Sequence, residues 1–378
     1  MALKINLLSS EDSLRWNSFS NDHKFSCLYH SEKWRDVIQT SYRISNYYLI
    51  AYENRKTIIE NGLYINAKNI ENDGDDKKIV GTFPLIHISS WLFGKNLVSI
   101  PYFDLGGILA TDKFSEIALL KKSILLAEEL GVTQIEFRQN HHLLSFGDFI
   151  NGQAEWKLSI STNKVRMILD ISDNSEFLLK SFNSKLRSQI RKPIKEGLIA
   201  KIGGVELIDD FYNVFAENMR DLGSPVHSKK FIAETLKAFP NTANVFIVYS
   251  DRKPLAGSVT IGFKDTLSNP WASSLRRYSH LAPNMLLYWS MLEFACQSGY
   301  RRFDFGRSTP GEGTYKFKEQ WGAKHEPLYW YRLSKNSDQG LVEQPEKDKM
   351  SKAIEYWKKL PVPLTKIIGP RIRKYISL

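Results

Sequence analysis

The sequence predicts an α/β protein made of two tandem copies of one unit, each a mixed sheet flanked by helices. The first observation behind this is an internal repeat. Tyr48–Lys56 (YLIAYENRK) matches Val245–Lys253 (VFIVYSDRK), a strand running into an Asn/Asp turn. Val80–Ile86 (VGTFPLI) matches Ala256–Gly262 (AGSVTIG), the returning strand of the hairpin, and Gly131–Phe137 (GVTQIEF) matches Gly299–Phe305 (GYRRFDF), a helix stop followed by a strand. The offsets of 197, 176 and 168 residues keep one order, and most of the drift falls in a polar, Asn/Asp-rich insertion at Thr57–Lys78 of the first copy. Three ordered matches mark a duplication. The second observation is that strands mix with intervening helices, which gives a sheet covered on both faces. The third is length, since 378 residues hold two domains, each with its own core.

Residues 1–163 are read as the first unit, 164–335 as the second, and 336–378 as a polar linker and basic amphipathic tail. Helices are expected near Ser10–Phe19, His30–Tyr42 and Phe114–Leu130 in the first copy, and over Ser175–Lys192, Ile208–Leu222 and Ser228–Phe239 in the second. Pro193 is expected to break or kink its helix, so that Lys195 need not share the face of Arg187 and Arg191. Val165–Ile171 reads as the strand crossing between copies. Beyond Arg332 the pattern fades into SKNSDQGLVEQPEKDK, then a short helix at Lys352–Leu360 and a basic, Ile-rich end.

Composition excludes several classes. The chain carries 42% hydrophobic and 12% aromatic residues, which argues for a folded globular protein. Its two cysteines, Cys27 and Cys296, belong to no spaced cluster, which excludes a disulfide framework or a cysteine-rich zinc site and fits a reducing cytoplasm. The N-terminus lacks the order of a signal peptide, and no apolar run approaches the roughly 18 residues a spanning helix needs. A soluble or peripheral cytoplasmic protein is expected. The net charge of +11 sits in two patches, +5 over Ser181–Lys201 and +6 over Ser351–Leu378, so anionic partners should meet those places.

The chemistry is expected in Asn269–Gly322, dense in aromatics, arginines and glycines. A strand (Trp271–Arg277) leads through a turn to a helix with Pro283 in its first turn and Gly299 as its stop. A second strand (Arg302–Phe305) delivers Asp304 beside the glycine-rich loop Gly306–Gly313, followed by a short helix. Strand ends beside irregular loops are where α/β proteins place their sites. No Ser-His-Asp arrangement, Walker loop or metal-binding pattern is recognisable.

Trp271–Tyr278 (WASSLRRY), Ala282–Trp289 (APNMLLYW), Phe303–Thr309 (FDFGRST) and Tyr315–Gly322 (YKFKEQWG) together resemble the signature of the FemAB-like acyltransferases. The branch most resembled accompanies exosortase and exopolysaccharide systems, and the similarity runs from about residue 3 to 335. The resemblance implies two tandem domains of the GCN5-related N-acetyltransferase fold, in agreement with the repeat. It also implies transfer of an acyl or aminoacyl group to an amine, since better-known members move amino acids from aminoacyl-tRNA onto peptidoglycan precursors. The chain departs from the group in two ways. Arg276–Asn284 lacks the glycine-rich pyrophosphate turn of acetyl-CoA users, and no segment is long enough for the helical arm used with tRNA. The donor is therefore left open between aminoacyl-tRNA, an acyl carrier and acyl-CoA, with no permanently bound cofactor.

The resemblance places a cationic group of the Phe-Lys motif near the reacting centre, which makes Lys318 the candidate oxyanion stabiliser. A solvated helix lysine is the equally weighted alternative. Asp304 is the candidate proton acceptor, against a structural carboxylate paired with Arg307 or Arg276. Trp271, Arg276, Arg277, Tyr278 and Asn284 are expected to line the acceptor cleft, with Arg307 and Lys316 holding a phosphate or carboxylate. Trp271 serves equally well as a core tryptophan. Arg187, Arg191 and Lys192 form a candidate phosphate-binding face or a solvated basic one. The tail interleaves Trp357, Ile367, Ile368, Ile372 and Ile376 with its charges, which suits an anionic membrane surface, or else a tail docked on its own domain.

These readings converge on an acyltransferase peripheral to the inner membrane that acts on a lipid-linked or sugar-nucleotide envelope precursor, with tRNA as a further partner and no metal. The second copy is expected to hold the site. The rival readings are a non-catalytic binding module of an envelope assembly and an RNA-binding protein using the Ser181–Lys201 patch.

Overall fold

The computed structural model describes residues 3–54, 57–60, 63–66, 77–90, 94–147, 155–335 and 347–377. The polar linker 336–346 and most of the first-copy insertion lie outside them. The first half runs β1 (Leu3–Leu7), α1 (Ser13–Asp22), α2 (Lys33–Tyr42), β2 (Asn46–Asn54), a separate ribbon β3 (Thr57–Glu60) and β4 (Leu63–Asn66), β5 (Lys77–Ser90), β6 (Gly94–Val98), β7 (Leu109–Ala110), α3 (Lys113–Glu129), β8 (Gln134–Gln139) and β9 (Trp156–Ser161). The second half opens with β10 (Val165–Asp170), α4 (Ser175–Ser181), α5 (Ser184–Lys195), β11 (Ile199–Gly203), α6 (Ile208–Asp221) and α7 (Lys229–Ala238). It continues with β12 (Ala243–Ser250), β13 (Lys253–Phe263), β14 (Thr266–Ser274), α8 (Pro283–Gln297), β15 (Arg302–Ser308), α9 (Gly313–Glu319), β16 (Lys324–Pro327) and β17 (Tyr329–Lys335). The tail forms α10 (Lys347–Lys358) and α11 (Val362–Arg373).

Two mixed sheets result, with strand orders β1-β2-β5-β6-β8-β17-β9 and β11-β12-β13-β14-β15-β10-β16. They correspond position by position. Each has one parallel pair, β6 with β8 and β14 with β15, and the two pairs stop at matching residues: Val98 lies opposite Glu136, and Ser268 opposite Asp304. Glu136 and Asp304 are also the residues that the repeat superimposes.

The sequence assignment is corrected at the sixth position of the first sheet. Tyr329–Lys335, read as the end of the second unit, pairs in the first sheet between β8 and β9. Its counterpart in the second sheet, β10, arrives directly from the first unit and lies between β15 and β16. The first lobe is thus completed by the last strand of the second half, whereas the second lobe uses its own first strand.

The expectation of a core for each copy is met, and the structure adds a third, shared one. Each lobe has its own buried cluster, around Phe83 and Phe137 in the first and Phe303 and Trp321 in the second. A third cluster spans both and joins Trp34 and Phe103 to Phe211, Phe231 and Trp271. Its aromatic rings are in direct contact across the seam, with Trp34 to Phe239 at 5.2 Å and Phe103 to Trp271 at 5.7 Å.

Two helix expectations differ. The single helix over Ser175–Lys192 is split at Phe182, and Asn183 caps α5 by accepting from the Leu186 N–H at 2.8 Å. Pro193 does not end α5, because only one further turn of chain is needed. Its own carbonyl accepts from the Leu198 N–H at 2.9 Å, and its ring is buried. Lys195 consequently joins Arg187 and Arg191 along the same groove.

Buried histidines make the fold acid-sensitive. The buried His30 accepts from the Cys27 N–H at Nδ1 (3.1 Å), and burial pulls its pKa down to about 3. Burial likewise holds His227 well below its ordinary value, with Arg373 adding to the effect. Between the unfolded value near 6.5 and the lowered folded ones, only the unfolded chain takes up these protons, so stability is lost as pH falls through that window. At pH 5 each such histidine is expected to cost about 2 kcal/mol relative to pH 7. Guanidinium unfolding at the two pH values measures this, and equal midpoints would contradict it.

Candidate active site

The site arises from the way β14 and β15 part. The two strands pair only over Thr266–Ser268 and Arg302–Asp304. Past that point Gly306 adopts a left-handed φ of +75°, which favours glycine, and the strand ends diverge. Two cavities flank the gap. One, of about 370 Å³, lies at the seam between the lobes, with Trp271, Asp304 and Arg307 facing Tyr102 and Asp104 of the first lobe. The other, of about 630 Å³, lies beside the N-terminus of α8 and is lined by Arg276, Pro283 and Asn284. They share Ala272, Tyr288, Thr314 and Lys318.

Lys318 is therefore at the junction. α9 places it 8% exposed, with its Nζ donating to the carbonyls of Gly306 (3.1 Å) and Arg307 (2.7 Å). An ammonium has three donors, which leaves one for a ligand. Burial brings its pKa down to about 8, against the opposing pull of Asp304 and Asp104. It is neither solvated nor an ordinary surface lysine.

Asp304 is already occupied. Its Oδ2 accepts from Arg166 Nε at 2.8 Å and its Oδ1 from the Gly306 N–H at 2.8 Å. The carboxylate reading is thus corrected in its partner: the pair is with Arg166 on β10, neither Arg307 nor Arg276. Arg307 instead bridges the lobes, with Nη1 3.0 Å from Asp104 Oδ1 and its guanidinium 5.3 Å from the Trp330 ring. Burial pushes the Asp104 carboxyl up, against Arg307 and Arg138.

The other expected residues divide. Trp271 lines the seam cavity while its ring packs on Phe103, Phe231 and His227, so it serves as wall and core together. Arg276 and Asn284 line the α8-side cavity. Arg277 and Tyr278 are corrected: both lie on the turn outside the cavities, Arg277 paired with Glu217 and Tyr278 bonded to Lys253, which lowers the Tyr278 pKa. Lys316 is exposed and lines neither cavity. Arg187, Arg191 and Lys192 line a shallow groove on α5 far along the chain from the cleft, and Arg187 is spent on the carbonyls of Lys180 and Phe182.

The first lobe has a cavity of its own, of about 780 Å³, lined by His23, Phe25, Ala110 and His141, and a buried arginine stands at its matching strand end. Arg138 is 1% exposed there and donates to the Phe103 carbonyl at 2.9 Å and to Glu136. Sequence reading missed Arg166, Asp104, His227 and Arg373. A signal existed for Arg166, a lone charge inside the apolar strand VRMIL. Among the described residues no cluster of metal-ligating side chains occurs.

The family description "Acetyltransferase (GNAT) domain" matches residues 180–319. Residues 180–319 are a GNAT domain. No curated sequence matches the chain. Among solved structures it is similar to FemX, with a TM-score of 0.60 at 13% identity, covering 86% of this chain and 96% of that one. It is also similar to a tandem GNAT protein from the clavulanic acid biosynthesis pathway, with a TM-score of 0.51 at 10% identity and coverage of 88% and 98%. A third is the C-terminal domain of a putative lysylphosphatidylglycerol synthetase from Agrobacterium fabrum, with a TM-score of 0.52 at 13% identity and coverage of 87% and 93%. At these identities the likeness establishes the tandem GNAT fold. The junction of the cavities, Lys318 and Asp304 all lie within the GNAT domain. β10, whose Arg166 holds Asp304, and the loop with Asp104, which lines the seam cavity, lie outside it.

Proposed function

We propose that the protein transfers an acyl or aminoacyl group to an amine of a cell-envelope or exopolysaccharide precursor, forming an amide by direct attack. The observation that supports this most is the meeting of two cavities at one buried cation, Lys318. The donor enters beside α8 and presents its carbonyl at the gap. The acceptor amine approaches from the seam, where both lobes hold it. As nitrogen attacks, negative charge gathers on the carbonyl oxygen, and the third Nζ–H of Lys318 is positioned to meet it. The intermediate then collapses by breaking the carbonyl carbon's bond to the donor's ester oxygen or thioester sulfur, and the freed alcohol or thiol takes up a proton from solvent. The acceptor amine arrives already deprotonated or loses its proton to solvent, because Asp304 is held by Arg166 and the Gly306 N–H. The first lobe supplies binding surface rather than chemistry.

The acceptor is a lipid-linked or sugar-nucleotide precursor; the donor is an aminoacyl-tRNA, an acyl carrier or acyl-CoA. Among the described residues no helix is long and apolar enough to cross a membrane. The tail docks on its own body and still leaves Tyr356 (71%), Leu364 (41%) and Ile367 (59%) exposed, an apolar strip through which it would touch an anionic membrane.

The test is to incubate the purified chain with each donor class and an extract of lipid-linked and nucleotide-linked precursors, and to follow acceptor mass. A mass gain that depends on the chain and disappears with Lys318→Ala is expected; no gain with any donor would end the reading. Lys316→Ala and Arg277→Ala, both outside the cavities, are expected to keep activity within about twofold, and a collapse in either would move the site elsewhere.

A further inference from the structure

We propose that the C-terminal segment is part of the binding site, with Arg373 joining Arg307 to receive a phosphate-bearing group of the ligand in the seam cavity. The proposal rests on the acyl-transfer reading for the identity of that ligand, but the site itself is argued from its charges. Arg373 lines the seam cavity together with Arg307 and Lys318. Its Nε donates to His227 Nε2 at 3.2 Å, its Nη1 to the Ile376 carbonyl at 3.1 Å, and its guanidinium lies 5.5 Å from the Tyr102 ring. None of these partners carries negative charge. Arginine only donates, so His227 Nε2 is bare and the ring proton is on Nδ1, bonded to the Tyr42 hydroxyl at 2.8 Å.

Among the described residues no carboxylate pairs with Arg373, and the two acids of the cavity are engaged. Asp304 faces Arg166, and Asp104 faces Arg307. A half-buried guanidinium without a counter-ion is costly, the more so with other cations lining the same cavity. Such an arrangement persists where a ligand anion completes it. Two guanidinium groups lining one cavity match the several oxygens of a phosphate or diphosphate.

The position of Arg373 is built into the fold. α11 lies so close to the second lobe that a Cβ on Gly369 would come within 3.1 Å of the Val226 backbone nitrogen, and Thr365 is buried beneath the helix. Lys366 Nζ reaches Asn213 Oδ1 at 2.6 Å. Beyond the helix the chain bonds to the first lobe: the Tyr102 hydroxyl donates to the Lys374 carbonyl (2.9 Å), the Tyr102 N–H to the Ser377 carbonyl (2.6 Å), and Arg138 Nη2 to Ser377 Oγ (3.2 Å). The segment is pinned to both lobes, and Arg373 stands where it crosses the seam.

The experiment is calorimetric titration of the full chain, without acyl donor, using inorganic pyrophosphate, uridine diphosphate and a short prenyl diphosphate in detergent. Saturable binding of at least one is expected. Arg373→Gln should weaken it about tenfold or more. Arg371→Gln, an equal charge change on the exposed side of the same helix, should leave it within about twofold. Preference for the nucleotide or for the prenyl compound would identify a soluble or a lipid carrier. Absence of saturable binding to all three overturns the proposal, as does equal weakening by the two variants. If Arg373→Gln fails to fold, Arg373→Lys keeps the charge and removes the fork, and an unchanged affinity in that variant is equally fatal. Since binding is read without transfer, a failed transfer assay removes the reaction and leaves this site standing, and the reverse also holds.

Discussion

Replacing Lys318 with alanine or methionine is expected to lower the transfer rate by about 10²- to 10³-fold while leaving the folded protein at least as stable as before. The two halves of this expectation have one cause. Burial takes the Lys318 pKa from 10.5 to about 8. Between those values the unfolded chain binds a proton that the folded one does not, so stability rises with pH across that window, and at neutral pH the buried ammonium is a burden of about 3 kcal/mol. Methionine removes that burden, at the smaller loss of hydrogen bonds to two carbonyls. A lysine placed for stability would behave in the opposite way. The charged form is the useful one for an oxyanion, so activity should decline as pH rises above about 8, with the decline displaced upward in Lys318→Arg. Steady-state rates across pH, beside thermal unfolding of each variant, measure both. A destabilised Lys318→Met with unchanged turnover would refute the assignment.

Asp304→Ala is expected to lose about 3–5 kcal/mol of stability, because it leaves the Arg166 guanidinium buried without its partner and the Gly306 N–H without its acceptor. The loss of activity should follow from the displaced Gly306–Arg307 turn rather than from a missing base. Replacing both members, Arg166→Met with Asp304→Leu, should restore much of the stability, since the stranded charge is gone. Denaturant unfolding of the two single variants and the double variant gives the coupling directly. If Asp304→Ala folds as well as the parent yet transfers nothing, Asp304 is a proton acceptor and the structural account is wrong.

How far the sequence reaches can be seen in particular residues. The duplication was readable because its signals are local: an Asn/Asp turn after an alternating strand, and a glycine that stops a helix just before the next strand. Gly131 and Gly299 both have positive φ, at +62° and +78°, as such stops require. Lys318, which the structure buries, was singled out through the motif around it. The partner of Asp304 was not, because Arg166 lies 138 residues away in the sequence and only strand order brings it near. The placement of β17 was unreadable for the same reason. Tyr329–Lys335 has the alternation of a strand, and alternation says which residues face inward but not which sheet they join. Pro193 misled because the helix penalty was applied without regard to how little helix remained. Arg373 was read as one of a run of basic tail residues; the close approach at Gly369 that singles it out has no counterpart in composition.

The placement of β17 in the first sheet has a consequence for how the chain is made. On the ribosome the N-terminal half emerges first, yet β9 has no neighbour but β17, so this edge of the first sheet stays open until nearly the whole polypeptide has been synthesised. Vectorial, lobe-by-lobe folding is therefore denied to this protein. The nascent first half must wait with a bare β8 edge, prone to pairing with other chains, and the cleft comes into being only when the last-made strand closes the first-made sheet.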